Sequence, residues 1–475
     1  MKVNFTEVQK KIFKQTGLTI LLVLVIIAAY FEINILINKT NFRNIDVTAD
    51  HVYSITDETK EKLKDIPKEV KIQLVNFENY STTSIYADVE NIINQYKDIN
   101  NIDVEKISDE NASKYTIIIT YDNNQEEISV TDLYGYKFLT DTYYYDTIDL
   151  CEEKITNTIL DLVNNSENNV YCYITHSAYN SAYIDTISNN YNNIKFGTLE
   201  DDIKMIEHCK CLVIPAVIED ISENEKNVII NYINNGGNIL LLQESKSLIT
   251  EEMPNFKEIM SLYGVEITEG VVLESDSEKM IKNKPGYILA DYNVGNNSGS
   301  ICMIEPGVIS FSNSETLEKL GVKYNVIAKA SNTAFLRTDM TVHDYSMTDS
   351  DSKLENAILG AEITKNISED TVSKMIIYSN SIFATDQTLT INDILTNETL
   401  KVPAISINDN ENAIVNSINY LINDNNRVFI RKKSLENIPT LKLLQSNIFI
   451  EIIFAIPMII IIIGYIVWRI RKSKK

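Results

Sequence analysis

Residues 211–245 read CLVIPAVIEDISENEKNVIINYINNGGNILLLQES, and this stretch indicates the fold most directly. It begins with the apolar run 211–216 and ends, before a polar Gln-Glu-Ser, with the apolar run 238–242. Between the two runs, Ser222-Glu223-Asn224-Glu225 has the pattern of a helix capping box, and Gly236-Gly237 is a typical helix stop. The stretch therefore predicts a strand, a helix and a second strand, joined by a right-handed crossover.

A third apolar run, at 170–175, precedes this unit. Continuous apolar strands separated by amphipathic helices are typical of a parallel sheet that is covered on both faces. We therefore expect a main α/β domain over 146–446, built on an open parallel sheet of the flavodoxin-like kind. Within it, the polar stretch 274–300 is expected to be a long loop, and 353–361 is expected to be a helix.

The preceding residues, 38–145, predict a smaller α/β subdomain. Residues 69–76 alternate polar and apolar side chains, which is the period of a half-buried strand. Apolar residues then recur at intervals of three and four over 86–96, which predicts an amphipathic helix. Further strands are expected at 102–107, 115–121 and 125–130.

Two long apolar segments, 17–37 and 447–468, flank the predicted domains. Each is long enough for a transmembrane helix, which needs about 20 residues. The stretches beyond them, 1–16 and 469–475, are rich in Lys and Arg, and such flanks belong on the cytoplasmic side. We therefore expect a two-pass protein of the plasma membrane, with both termini cytoplasmic and a large extracytoplasmic α/β ectodomain between two transmembrane helices.

The charge and the cysteines restrict the function further. The chain carries a net charge of −23, which repels phosphate backbones and argues against a nucleic-acid partner. Five cysteines are few and odd in number for a disulfide framework in an exported protein. Cys209 and Cys211 resemble half a metal site, but the second of them begins an apolar strand, so core packing is the better interpretation. We predict no metal site and no cofactor.

Candidate ligand-binding residues lie just after two of the predicted parallel strands. Open parallel sheets bind ligands beyond the carboxyl ends of their strands. His176 and Ser177 follow the run 170–175, and Gln243 and Glu244 follow the run 238–242. These four residues are the predicted ligand cleft.

Catalytic motifs are absent from the sequence. None of the 14 glycines opens a Walker A loop, and neither a Gly-x-Ser-x-Gly elbow nor a His-Glu-x-x-His pair occurs. We therefore predict no catalytic residues and no enzymatic activity.

A resemblance to a known family rests on the residues after the first apolar segment: Asp46-Val47-Thr48, then Tyr53-Ser54-Ile55-Thr56-Asp57-Glu58-Thr59-Lys60. This pattern resembles the start of the GldG-like auxiliary proteins of ABC transporters, which are associated with gliding motility in some bacteria. Val47 and Ile55 stand where the family has leucine, and Thr56 stands where it has serine. Residues 235–240, 374–381 and 416–421 also resemble parts of the family, so the resemblance covers nearly the whole chain.

The resemblance implies a non-catalytic subunit that works beside a separate ABC ATPase and a multi-span permease in the membrane, and it leaves a homo-oligomer open. It also implies a glutamine-amidotransferase-like sheet. The catalytic Gly-x-Cys-x-Gly of true amidotransferases is absent, so that activity is not implied.

Two other classes of protein share features with this sequence. A surface-polysaccharide chain-length regulator also has two terminal spans around an exterior domain, but it relies on long helices, and no sustained heptads occur here. A membrane-tethered glycan or cell-wall enzyme is the other alternative, because the 66 acidic residues leave many carboxylate pairs open.

Overall fold

The computed structural model describes Thr6 and residues 53–435, except 79, 82–83, 111, 165–169, 174–193, 198–205, 207–208, 250–251, 282, 343–344, 393–398 and 423–432. The chain divides into two compact units, Ile55–Asn437 and a second unit formed by Met1–Ser54 with Ile438–Lys475. All of the elements below belong to the first unit. The domain boundaries expected at 145 and 446 stay predictions.

Strands dominate the described residues, which hold twenty-four of them. They are β1 (Val70–Val75), β2 (Ile102–Ile107), β3 (Thr116–Tyr121), β4 (Asn124–Ser129), β5 (Tyr134–Leu139), β6 (Tyr144–Asp149), β7 (Val170–Tyr173), β8 (Ile194–Gly197), β9 (Cys211–Ile214), β10 (Asn238–Leu242), β11 (Val265–Ile267), β12 (Val271–Leu273), β13 (Met280–Ile281), β14 (Lys284–Val294), β15 (Asn297–Ile304), β16 (Ile309–Phe311), β17 (Val322–Lys329), β18 (Phe335–Arg337), β19 (Ser352–Lys353), β20 (Ile358–Asn366), β21 (Val372–Tyr378), β22 (Thr388–Asn392), β23 (Thr399–Pro403) and β24 (Lys433–Ser434).

The α-helices of the described residues are α1 (Asp57–Leu63), α2 (Ile85–Asn94), α3 (Cys151–Asn164), α4 (Glu223–Asn234), α5 (Pro254–Leu262), α6 (Ser314–Leu320) and α7 (Asn410–Ile422). Short 3-10 helices occur at Gln95–Asp98, Val130–Leu133, Lys246–Leu248, Ile382–Ala384 and Ala404–Ser406.

The largest sheet has twelve strands, in the order β13-β14-β17-β20-β21-β10-β9-β7-β8 along its main path. From β21 to β8 the neighbours run parallel. The strands β20, β17, β14 and β15 pair antiparallel. The fold class expected for the ectodomain between the two apolar segments, a parallel-sheet α/β fold, is therefore wrong: the sheet is mixed, and the parallel part is a minority of its strands.

The two stretches that the sequence pattern misassigned explain this difference. Residues 274–300, expected to be a loop, contain β13, β14 and the start of β15. The stretch 353–361, expected to be a helix, leads into β20. Every second residue of β14 from Ile288 to Val294 is buried, so the segment has the period of a strand in spite of its many polar residues.

No helix among the described residues is long and apolar enough to cross a membrane. The segments 17–37 and 447–468, which were expected to be transmembrane helices, lie outside the described residues.

The strand, helix and strand predicted for 211–245 are confirmed as β9, α4 and β10, and the two strands pair in parallel. The capping box is also present. The Ser222 hydroxyl accepts a hydrogen bond from the Glu225 backbone N–H at 3.2 Å, and the Glu225 carboxylate accepts one from the Ser222 N–H at 2.7 Å. The same carboxylate accepts a hydrogen bond from the Tyr173 hydroxyl at 2.8 Å, which ties the helix start to β7.

The central strand β10 is buried on both faces. Leu240 and Leu242 belong to one apolar core together with α7, whereas Ile239 and Leu241 belong to a second core together with α4 and α5. Full burial of such a side chain contributes roughly 1.5–3 kcal/mol. The continuous apolar run NILLL is therefore explained by cover on both sides of the sheet.

The N-terminal part of the unit forms a four-stranded sheet in the order β2-β1-β3-β4. The strands and the helix predicted over 69–130 are confirmed here within about two residues. The core of this sheet includes residues of both α2 and α3, so the helix after residue 150 packs on this sheet. The hairpin β5-β6 forms a third sheet, to which β24 adds a strand.

We predict that Ser222→Ala lowers the free energy of unfolding by about 1 kcal/mol, because the N-terminus of α4 loses its side-chain acceptor. Asn224→Ala is the matched control, since Asn224 is exposed at the same helix start. Chemical denaturation measures both variants. Equal stabilities would contradict a contribution from the capping box.

Candidate functional site

The predicted cleft residues Gln243 and Glu244 lie where β10 ends, beside the end of β21. The two strands are parallel neighbours, with Leu242 opposite Tyr378. The Gln243 N–H donates to the Tyr378 carbonyl at 3.0 Å, so the pairing continues one residue beyond β10. The residues that follow each strand, 243–245 and 379–381, therefore meet at one edge of the sheet. We call these six residues the carboxyl-edge cluster.

The Glu244 carboxylate is the centre of this cluster and is only 4% exposed. One oxygen, Oε1, accepts hydrogen bonds from the backbone N–H of Ser381 at 2.8 Å, from the Ser381 hydroxyl, and from the Ile382 N–H at 3.2 Å. The other oxygen accepts from the Asn380 Nδ2 at 3.2 Å. Burial raises the pKa of Glu244, and the four donors oppose that rise.

Asn380 connects this carboxylate to the antiparallel part of the sheet. Its Nδ2 donates to the Ile304 carbonyl at 2.7 Å, and its Oδ1 accepts from the Ile304 N–H at 3.1 Å. The Ser379 hydroxyl donates to the carbonyls of Gly307 at 2.8 Å and Leu359 at 3.1 Å. The end of β21 is thus held against β15 and β20 by side-chain hydrogen bonds.

Gln243 and Ser245 attach two further segments. The Gln243 amide donates to the Val217 carbonyl at 2.9 Å and accepts from the Val217 N–H at 3.1 Å. The Ser245 hydroxyl donates to the Gly270 carbonyl and accepts from the Ser247 N–H at 3.2 Å. Each side chain of the cluster is therefore engaged with the protein's own backbone or side chains.

The structure brings together two of the four predicted residues. Gln243 and Glu244 lie in the cluster, whereas His176 and Ser177 fall outside the described residues. A ligand role for the four stays a prediction. In the described geometry, the cluster acts as a structural junction in which Glu244 caps the turn at Ser381 and Ile382.

Sequence reasoning did not select Ser379, Asn380 or Ser381 as site residues. They follow an apolar strand in the same way as Gln243 and Glu244 do. Gln243 and Glu244 were selected because they follow the carboxyl end of a parallel strand. The same rule selects Ser379, Asn380 and Ser381 once β21 is recognised as the parallel neighbour of β10.

All five cysteines are free and buried, and burial raises the pKa of the Cys209 thiol to about 11. A thiol with a raised pKa is a poor nucleophile and a poor metal ligand at neutral pH. Among the described residues, no group of three or more His, Cys, Asp and Glu side chains is arranged to hold a metal ion.

Two open pockets lie away from the carboxyl-edge cluster. The larger, of about 340 Å³, is lined partly by Lys60, Lys64 and Asp98 near the start of the unit. The smaller, of about 250 Å³, lies at the Gly236-Gly237 turn beside Cys209 and Lys210. Lys64 forms an exposed ion pair with Glu61.

Comparison with known proteins gives little further guidance. No family model matches the chain, and no curated protein matches it. Among solved structures, the chain is similar to the mmIFT52 N-terminal domain, with a TM-score of 0.35 and 12% identity over 46% of this chain and 89% of that one. It is also similar to the exo-beta-1,4-mannosidase Op5Man5 from Opitutaceae bacterium strain TAV5, with a TM-score of 0.23 and 7% identity over 50% of this chain and 36% of that one. Both TM-scores are too low to carry an argument.

We predict that Glu244→Gln lowers the free energy of unfolding by about 1–3 kcal/mol, because one oxygen becomes an amide donor that faces the Asn380 Nδ2. Because burial raises the pKa of Glu244, folding favours its protonated form relative to the unfolded chain. Wild-type stability from this group is therefore fully present below the unfolded pKa of Glu and falls as the pH rises through the folded pKa. The difference in the free energy of unfolding between the wild type and Glu244→Gln should therefore become smaller as the pH rises.

Denaturant titrations between about pH 4 and pH 8 measure this difference. Glu127→Gln is the control, because Glu127 is an exposed carboxylate in the separate four-stranded sheet and its loss changes the charge without touching the cluster. A difference that grows with pH would show instead that the four donors hold Glu244 ionised.

Proposed function

We propose that the chain is a non-catalytic, extracytoplasmic auxiliary subunit of an ABC transport system, and that it works with a separate ATPase and a multi-span permease. The observation that carries the proposal is that the chain enters and leaves the described unit at neighbouring positions. At the start, the Thr56 N–H and the Thr59 hydroxyl both donate to the Glu152 carboxylate, the second at 2.8 Å. At the end, the strand β24 pairs with β6, and Lys433 lies opposite Asp149 in that register. Asp149 is three residues before Glu152.

The entry and the exit therefore attach to one short stretch, the end of β6 and the start of α3. The attachment at the end extends further, since the Leu435 N–H donates to the Thr147 carbonyl at 2.8 Å. A domain looped out between two membrane spans must return both of its ends to one membrane surface, and ends that lie close together meet that requirement. This geometry supports such an arrangement with the apolar segments 17–37 and 447–468 as the spans.

The Glu152 attachment is buried and one of its carboxylate oxygens accepts two hydrogen bonds, so the start of the unit is firmly held. Glu152 is 3% exposed, and Thr156 of the same helix accepts or donates a hydrogen bond with the Tyr96 hydroxyl at 2.7 Å. Thr56 also caps α1, as its hydroxyl accepts from the Thr59 N–H at 3.3 Å. The segment that resembles the GldG-like family is thus the segment that fixes the chain at its point of entry.

Energy for transport would come from a partner protein. The sequence contains no Walker A loop, and in the proposed system a separate ATPase hydrolyses the nucleotide. The carboxyl-edge cluster, where an open sheet commonly binds its ligand, is filled by the protein's own side chains. Both features favour a subunit that acts through its surface.

The membrane topology can be tested with an introduced thiol, because all five native cysteines are buried. We predict that Ser368→Cys in the exposed turn before β21 reacts with a membrane-impermeant maleimide on intact cells. Ser473→Cys in the basic tail should react only after the cells are made permeable. The wild-type chain is the control for background labelling, and labelling of the Ser368→Cys variant only after permeabilisation would contradict the topology.

The partners can be identified by capture of the tagged full-length chain from native membranes in mild detergent. We predict that mass spectrometry finds an ABC ATPase together with a multi-span permease. An unrelated two-span membrane protein, tagged and captured in the same way, controls for non-specific recovery. Recovery of glycan-synthesis proteins, or of no defined partner, would overturn the proposed function.

A further inference from the structure

The larger of the two open pockets is lined by charged groups of both signs. It has a volume of about 340 Å³ and lies between α1 and the segment 95–100. Lys60 and Lys64 line it from α1, and Asp98 and Asn100 line it from the segment. Pockets that bind small molecules have volumes of roughly 300–1,000 Å³, so this one has the size for a small ligand.

Two hydrogen bonds hold the walls of this pocket together. The Gln95 Oε1 accepts a hydrogen bond from the Ile55 N–H at 3.1 Å, and the Asn101 Nδ2 donates to the Ile66 carbonyl at 2.7 Å. The buried side chains of Ile55 and Ile99 complete the lining. The helix α1 is therefore attached to the segment on both of its flanks, and the pocket between them is formed by the fold itself.

The two lysines present their ammonium groups on one face of α1. They are four residues apart, and side chains at this spacing are neighbours on a helix surface. Lys60 pairs with Asp57 at 3.2 Å and Lys64 pairs with Glu61, and all four side chains are at least half exposed. Ion pairs this exposed are weak, so a ligand anion can compete with the two carboxylates for the lysines.

The Asp98 carboxylate and the Asn100 amide are not used by the fold. Both residues are exposed, and neither side chain forms a hydrogen bond or an ion pair in the part of the chain that the structure describes. They differ in this respect from Glu244, whose carboxylate accepts four hydrogen bonds. The pocket therefore offers a ligand two ammonium groups, one amide and one carboxylate.

We propose that this pocket binds a small phosphate ester that also carries an ammonium group. Lys60 and Lys64 donate to the phosphate oxygens, since lysine is a common phosphate ligand. Asp98 accepts from the ammonium group of the ligand. A ligand with a phosphate alone places an anion beside Asp98, and a ligand with an ammonium alone places a cation beside two lysines. The lining therefore selects for both charges in one molecule.

Two sources carry this chemistry: a free molecule such as ethanolamine phosphate, and the ethanolamine headgroup of a phospholipid. The pocket belongs to the described unit and is independent of the proposed transport partners. Capture of an ATPase and a permease tests those partners, whereas ligand binding tests the pocket. Either one can fail without the other.

Isothermal titration calorimetry on the full-length chain in detergent tests the free ligand. Ethanolamine phosphate is the probe, and glycerol 3-phosphate and ethanolamine each lack one of its two charged groups. We expect ethanolamine phosphate to bind about tenfold more tightly than either, because hydrogen bonds between charged groups are the strong ones. The double variant Lys60→Gln, Lys64→Gln should lose about tenfold or more in affinity for ethanolamine phosphate.

The matched control is the double variant Lys62→Gln, Lys97→Gln. It removes two exposed lysines from the same two parts of the chain, and neither of them lines the pocket. It should bind ethanolamine phosphate as the wild type does. Asp98→Asn tests the selectivity, and it should remove most of the preference for ethanolamine phosphate over glycerol 3-phosphate. Unfolding midpoints of all variants show that the fold is kept.

A phosphatidylethanolamine with a photo-reactive group on its acyl chain tests the lipid source. The full-length chain is irradiated in phosphatidylcholine vesicles that contain this lipid, and the adduct is located by mass spectrometry. An adduct at residues 55–64 or 95–100 that is lost in Lys60→Gln, Lys64→Gln identifies the headgroup as the ligand. The variant Lys62→Gln, Lys97→Gln should keep the adduct.

Each outcome decides the question. Lysine-dependent binding of ethanolamine phosphate without a lipid adduct supports the pocket with a free ligand. A lysine-dependent adduct supports it with a lipid headgroup. Equal affinities for ethanolamine phosphate and glycerol 3-phosphate, or binding that the loss of Lys60 and Lys64 leaves unchanged, would overturn the proposal. The absence of both binding and adduct would overturn it as well.

Discussion

The rest of the structure depends on the tie between the ends of β10 and β21, made by the buried carboxylate of Glu244. A carboxylate removed from water costs several kcal/mol unless hydrogen-bond donors surround it. Ser381, Ile382 and Asn380 supply those donors. Because Asn380 also binds both backbone groups of Ile304, the parallel strands are fixed to the antiparallel ones by a side-chain network as well as by strand pairing.

The same network explains how β15 can have one edge inside the protein. One edge of β15 pairs with β14. On the opposite, buried edge, side-chain amides bind the backbone groups of two residues. Asn410 binds the N–H of Cys302 at 2.8 Å and its carbonyl at 3.0 Å, and Asn380 does the same for Ile304 two residues later. An asparagine amide has one acceptor and a donor side by side, as a peptide group does. Two such amides therefore stand in for a neighbouring strand, and the buried backbone groups at these two positions are satisfied.

The parts of the fold that could be predicted from the sequence are those whose signal is local. The capping box at Ser222 and the apolar run of β10 depend on neighbouring residues, and both are present as expected. The strand β14 could not be predicted, because Asp291, Asn293 and their polar neighbours are typical of loops, and the burial of the alternate residues requires partner strands. Likewise, the position of Glu244 at the sheet edge was predictable, but its burial was not, because its partner Asn380 lies 136 residues away along the chain.

The interior and the surface of this protein thus have different roles. In the carboxyl-edge cluster, the polar groups are engaged with the protein's own backbone and side chains, so they stabilise the fold and leave little for a ligand to bind. The Arg337–Asp351 pair differs, because a buried ion pair is a weak source of stability in comparison with well-packed apolar residues. Its more direct consequence is geometric: Arg337 Nη2 also donates to the Ser346 carbonyl, which lies between the exposed residues Tyr345 and Met347. Because the buried polar groups of the carboxyl-edge cluster are engaged within the fold, we place the function of this unit at its surface.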